Sequence, residues 1–319
     1  MRRTTLSTLF AAVFASAAAQ ETPGEPSALA CADLRLQTVR TLAGHPDSLQ
    51  VNNLLFEAAR KGCVNSLDEL FKAGASRLAR DRLGNTPIAV AARAGRLAVV
   101  KALLASASPD EAVQIDRANV AGSTPLLQAV QSNRTEVARL LIDAGASVEA
   151  VNLQGETALS AAAFTGNVEL ATLLLAHKAR PDTVDATGKS VIVYAAARGA
   201  APIVDLLLNA GVDVNARYRA DLTALMWAAG HADNVAADAG LQTVKLLLAR
   251  GAKLDLVDDR GRSALMIAAG LGHAAIAQAL VDAGEDRTLR DKSGKSAADL
   301  AAAPEIKSIV AAPAGSAAP

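Results

Sequence analysis

The chain has 319 residues, 51% of them apolar, 20% charged and 3% aromatic. That apolar mass suffices for a large core and excludes a disordered protein, while few aromatics beside much alanine favour closely spaced helices. Thirty-two Lys and Arg balance thirty-two Asp and Glu, so no global field draws the protein to nucleic acid or to an anionic membrane surface.

At the N-terminus, Arg2 and Arg3 precede an apolar run from Leu6 to Ala19 that ends in Ala17, Ala18 and Ala19. A charged start, a short apolar middle and small closing residues describe a secretory signal peptide over residues 1–19. The run is too short to span a bilayer comfortably, so no membrane insertion is expected once it is cleaved. Thr5 stands where a twin-arginine signal prefers Phe, which favours ordinary secretion. A lipid anchor on Cys31 is the weaker alternative, because ALAC lacks the usual Leu and lies well beyond the apolar run. Residues 20–30, with QETPGEPS, read as a linker. Residues 31–50 read as a capping helix and turn, with Leu34, Leu36, Val39 and Leu42 apolar and with Gly44 and Pro46 as the stop. Two cysteines in an exported chain favour a Cys31–Cys63 disulfide, the alternative being two buried thiols.

From about Val51 the sequence repeats. The Thr or Ser before each apolar helix start falls at Thr86, Thr124, Thr157, Ser190, Thr223, Ser263 and Ser296, with successive gaps of 38, 33, 33, 33, 40 and 33 residues. Around them stand DRLGNTPIAVAARAG, NVAGSTPLLQAVQSN, NLQGETALSAAAFTG, DATGKSVIVYAAARG, DDRGRSALMIAAGLG and DKSGKSAADLAAA. Each opens with Asp or Asn, has Gly two residues before the Thr or Ser, and continues into an apolar stripe with paired alanines. A second helix follows, as in EVARLLIDAGA and ELATLLLAHKA. The hydroxyls suit helix N-caps and the glycines suit left-handed turns. One helix pair cannot bury its apolar stripe alone, whereas stacked neighbours can.

This pattern is similar to the ankyrin repeat. The resemblance implies an all-α repeat solenoid of helix-turn-helix-hairpin units of period 33, with seven to eight repeats including degenerate caps, over residues 51–310. Residues 311–319 read as a disordered tail. The usual family His two residues after the proline position is absent, with Ala89, Leu127, Ser160, Val193, Met226 and Met266 in its place. Asp221 replaces a turn glycine and Lys178 a helix-ending one, at a cost of about 1 kcal/mol where the backbone is left-handed.

Two gaps are long. Ala105 to Asp116 lengthens one hairpin finger, and His231 to Gly240 extends the turn between two helices of one repeat. His231, Asp233, Asn234 and Asp238 are oxygen and nitrogen donors, but they lack the spacing, turn glycine and closing Glu of a calcium loop, so an exposed turn is the expectation. No His pairs with a nucleophile and an orienting carboxylate in a way the repeats support, and no phosphate loop is present. No catalytic group, cofactor or metal is therefore expected.

What remains is a surface. The resemblance implies a concave face built from hairpin tips and first-helix ends, which in this family binds proteins. It carries that role to Arg60, Lys61, Arg82, Asn85, Arg93, Gln131, Glu156, Phe164, Lys189, Arg198, Arg219, Arg260 and Arg262. Trp227 joins them as either a half-buried packing residue or an aromatic anchor. The excess of Arg and Lys points to an acidic protein partner. The expected function is a non-enzymatic, monomeric scaffold in the bacterial periplasm. The alternative is a direct metal or redox role through residues 231–240 or Cys31 and Cys63. Protein recovered from the producing cell should begin near Gln20 and fractionate with the periplasm. Intact Met1–Ala19 on cytosolic protein, read by N-terminal sequencing, would end the export reading.

Overall fold

The computed structural model describes residues 28–105, 115–230 and 235–311. The signal peptide, most of the 20–30 linker, residues 106–114 of the finger insertion, His231, Asp233, Asn234 and the tail after Ala311 lie outside the described residues.

The described residues form α-helices and turns, with no strand beyond one isolated bridge between Val184 and Ser190. The first helix is α1 (Ala28–Ala43), and pairs follow it. They are α2 (Ser48–Lys61) with α3 (Leu67–Lys72), α4 (Pro87–Ala94) with α5 (Leu97–Ala105), and α6 (Pro125–Gln131) with α7 (Thr135–Asp143). Next come α8 (Ala158–Thr165) with α9 (Val168–Ala176), α10 (Val191–Ala197) with α11 (Ala201–Asn209), and α12 (Ala224–Ala229) with α13 (Ala237–Ala249). The last are α14 (Ala264–Leu271) with α15 (Ala274–Asp282) and α16 (Ala297–Leu300) with α17 (Pro304–Val310). The first helix of each pair stacks on the first helices of its neighbours, and the second helices make a parallel outer row. The result is an all-α repeat solenoid.

These helices are short, and their ends are fixed locally. Thr124, Thr157, Thr223, Ser263 and Ser296 each accept a hydrogen bond from the backbone amide three residues on. Thr86 and Ser190 start their helices without that bond, so the expected cap is incomplete at two positions. Where the family His is missing, Ala89, Leu127, Val193, Met226 and Met266 fill the core instead, and Ser160 closes a capping box with Thr157. The paired alanines Ala91–Ala92, Ala162–Ala163, Ala195–Ala196, Ala228–Ala229 and Ala268–Ala269 are fully buried. A methyl side chain at these points lets the first helices approach closely, and anything larger would overpack them. One continuous core runs from Leu34 to Val310.

Departures from the sequence expectations have local causes. The chain is already helical from Ala28, inside the segment read as linker, because α1 packs on α2 through Leu34 and Thr38, with the Thr38 hydroxyl donating to the Leu34 carbonyl at 2.8 Å. Of the supposed turn 231–240, Ala237–Gly240 is helix: α13 has 13 residues where α11 and α15 have nine. Its extra turn lies against Gly199, where an added Cβ would come within 3.0 Å of the Ala239 carbonyl carbon. Asp238 sits in the first turn of α13, where a negative charge suits the helix dipole. Lys178 (φ 65°) and Asp221 (φ 59°) are left-handed as expected, and Ala220 (φ 61°) joins them.

Cys31 and Cys63 are bonded, with their Cα atoms 5.4 Å apart, and they tie α1 to the end of α2. The bridge closes a loop of 32 residues, worth about 3 to 4 kcal/mol in the chain-entropy treatment. Replacing both cysteines with Ser is expected to lower the stability of the N-terminal repeats by that order. Hydrogen exchange resolves it by showing faster opening in α1 and α2 than in α10 to α15.

Glu285 is a second constraint. It follows Gly284, where the equivalent positions hold Ala75, Ala146, Ala179, Val212 and Ala252. Only 4% of it is exposed, and one carboxylate oxygen accepts from the Leu265 amide at 2.9 Å, in the first turn of α14. Burial pushes its pKa from 4.5 up to about 7, against the opposing pull of hydrogen bonds from Ser263 and Leu265. A raised folded-state pKa means that the folded state holds the proton more tightly. Its contribution is complete below pH 4.5 and is lost as pH rises through about 7, a loss of about 3 kcal/mol. Glu285→Gln should be more stable than the wild type at pH 8, and the difference should shrink as pH falls toward 4.5. Equal pH dependence of the two melting curves would contradict this.

Candidate partner-binding face

The hairpins between repeats are built by one device. Asp81, Asn119, Asn152, Asp185, Asp258 and Asp291 each accept, through one side-chain oxygen, the backbone amides two and four residues ahead, at 2.7–3.1 Å. Asp and Asn do this because a short side chain mimics a turn of backbone. Each tip then donates to the one before it: Val120 to Leu83, Leu153 to Ala121, Ala186 to Gln154, Arg219 to Gly188, Asp259 to Ala220 and Lys292 to Arg260. Gly122 (φ 79°) is required here, since a Cβ would lie 2.9 Å from the Leu153 amide nitrogen. Tyr218 occupies the Asp/Asn position before Thr223, so that hairpin lacks the side-chain acceptor and turns through left-handed Ala220 and Asp221 instead.

The tips and the first helices place an aromatic and cationic group across three successive repeats. Phe164 meets Tyr194 edge to face, with ring centroids 6.0 Å apart. The Arg198 guanidinium lies over Phe164 at 5.4 Å, and the Lys189 ammonium lies 5.6 Å from the Tyr194 ring and 5.9 Å from the Trp227 ring. Cations over aromatic faces at these distances are attracted by the ring quadrupole. Trp227 is half-buried, which is the packing expectation, with part of its surface open beside Lys189.

Two acidic groups beside the rings are engaged internally. The Tyr194 hydroxyl donates a short hydrogen bond to Asp185. Burial opposes ionisation of Asp185, but the hydrogen bonds from Tyr194, Thr187 and Lys189 prevail and hold its carboxyl below the usual range. Burial and the Asp185 carboxylate push the Tyr194 phenol upward, so it stays a neutral donor. Glu156 accepts from Gln131 at 2.7 Å and from Asn152 at 2.9 Å. Burial raises its pKa, countered by those two bonds.

Of the residues expected on the face, Gln131, Glu156, Phe164, Lys189, Arg198 and Trp227 come together in or beside this group. Arg60 and Arg93 are exposed at the ends of α2 and α4, where Arg96 and Arg134 donate to their backbone carbonyls. Arg82, Arg219 and Arg260 are exposed at tips. Lys61 is half-buried and paired with Glu57 at 2.6 Å. Asn85 departs from the expectation: it is 1% exposed, donates to Asp81 and accepts from Asn119, so its amide serves the hairpin ladder. Arg262 is spent on Asp258, with two nitrogens at 2.7 and 2.8 Å from the same oxygen. Tyr194 and Asp185 were missed as site residues. The signal was available, since Tyr194 and Trp227 occupy the same register 33 residues apart.

Among the described residues no group of three or more His, Cys, Asp or Glu is placed to hold a metal ion. His273 is structural, its Nδ1 lying 2.8 Å from the Ala229 carbonyl oxygen in the preceding repeat. No helix among the described residues is long and apolar enough to cross a membrane.

A comparison with curated proteins finds no match. The family described as ankyrin repeats (3 copies) matches residues 55–152, 110–185, 159–237 and 234–311, which together take in well over half of the chain. With the helix pairs, the hairpin ladder and the period of 33 residues already in place, the chain belongs to the ankyrin repeat family, whose repeats serve as protein-binding modules.

Proposed function

We propose that this ankyrin protein is a non-enzymatic scaffold of the bacterial periplasm that holds an acidic protein partner on its hairpin-side face. The observation that carries this reading is the unequal treatment of the two charge signs there. Asp81, Asp185, Asp258 and Asp291 are occupied by turn amides, and Glu156 by two amide side chains. Arg60, Arg82, Arg93, Arg219, Arg260 and Lys292 are exposed, against Asp221 and Asp259 at the tips. A neutral chain thus exposes more cations than anions along these tips and helix ends. The aromatic group at Phe164, Tyr194 and Trp227 supplies the rigid apolar anchors that carry most binding energy in interfaces, and the cations around it set encounter rate and orientation. The export signal read in residues 1–19 supports the periplasmic setting, and the closed Cys31–Cys63 bridge suits an oxidising compartment.

A pull-down from periplasmic extract with the purified protein as bait supplies the partner, and two variants then test the face. Reversing Arg60, Arg82 and Arg93 to Glu should mainly slow association and flatten its salt dependence, with the far-ultraviolet circular dichroism unchanged. Trp227→Ala should instead speed dissociation, at a cost of about 2 kcal/mol in affinity. Wild-type kinetics in both variants would place the partner elsewhere on the molecule.

A further inference from the structure

The outer side of α1 carries a second apolar stripe. The buried side of this helix holds Leu34 and Thr38, both fully covered by the repeat behind, with Cys31 and Leu42 half-buried beside them. On the opposite side stand Leu29 (78% exposed), Leu36 (58%) and Val39 (53%), with exposed Ala32 and Ala43 in line. Residues 29, 32, 36, 39 and 43 are spaced three, four, three and four apart, the a and d seam of two heptads. A terminal capping element of a solenoid ordinarily turns a polar face outward. Among the described residues, α1 instead carries apolar side chains on both its inner and its outer side.

The residues flanking the seam say what covers it. Asp33 and Arg40 fall at e positions on one flank and Arg35 at a g position on the other. All three are exposed, and none has an ion-pair partner among the described residues. A second α1 packed in parallel would set Arg35 against Arg40 of its mate, a like-charge contact. Packed antiparallel, the e flanks meet, and Asp33 of each copy faces Arg40 of the other, twice by two-fold symmetry. The stripe is thus self-complementary in one orientation. With residues 1–19 removed, as the export reading proposed above has it, residues 20–27, QETPGEPS, offer no large apolar side chain to cover it in place of a partner.

We infer that two copies of this chain associate end to end through antiparallel α1 helices, with Leu29, Leu36 and Val39 as the seam and Asp33–Arg40 as the orienting pair. Two heptads bury less than a permanent interface needs, so the dimer is of micromolar affinity and exchanges with monomer. The hairpin-side faces of both copies stay open, so a dimer presents two partner sites.

Sedimentation velocity on the protein recovered from the producing cell, over a wide concentration range around micromolar, is expected to show a monomer–dimer equilibrium. Leu36→Glu with Val39→Glu should raise the midpoint concentration by at least about tenfold. Well below the dimer midpoint, the same double variant should keep the wild-type melting temperature, because both side chains are exposed. Asp33→Arg alone should also weaken the dimer, which parallel or nonspecific association, where Asp33 has no charged counterpart, would not reproduce, and adding Arg40→Asp should restore it. A monomer at every concentration, a dimer indifferent to the seam variants, or no recovery in the charge-swapped protein would each overturn the inference.

Discussion

Each helix pair in this chain has an apolar face that only the next pair can cover, and the rest of the structure follows from that dependence. It explains the alanines. The first helices can stack only where their contact residues are small, and five fully buried alanine pairs recur at that contact. It explains the hairpins as well, since the turns must hold successive pairs in register, and a repeated Asp or Asn does so by gathering the same two backbone amides at six tips. The carboxylates among them are engaged by turn amides, while Arg82, Arg219, Arg260 and Lys292 at the same tips are exposed.

Much of this was legible in the sequence because it is periodic. A spacing of 33 residues between helix caps, with glycine two residues earlier and paired alanines after, identifies the repeat without reference to contacts. Individual roles at the face were less legible. Asn85 and Arg262 lie at hairpin positions that look exposed in one dimension, yet one closes a ladder between Asp81 and Asn119 and the other neutralises a buried Asp258. Those outcomes depend on the neighbouring turn, which a single repeat does not contain. Only the end of the interruption after Trp227 departs from the expected turn: its His, Asp, Asn and Ala carry no apolar stripe, but the packing of Ala239 against Gly199 draws Ala237–Gly240 into α13. Glu285 stood in plain sight at a position that other repeats fill with Ala or Val. Its meaning appears only when the amide of Leu265 is seen beside it.

The two ends solve the open-face problem differently. At the C-terminus α16 and α17 are short and close the core with Ala297, Ile306 and Val310. At the N-terminus a full extra helix is added and bolted on by Cys31–Cys63. A covalent tie is useful there because, among the described residues, α1 packs on the stack from one side only.

The hairpin ladder has a mechanical meaning. Every bond in it joins one tip to the next, at sequence separations of about one repeat, and the described residues hold no tie between distant repeats. Such a body responds to load as springs in series, with bending and twist adding from joint to joint. A ligand gripping Phe164, Tyr194 and Trp227 spans two joints and meets a nearly rigid plate. One reaching from Arg60 to Lys292 would span the whole series and could coil or uncoil the molecule as it binds.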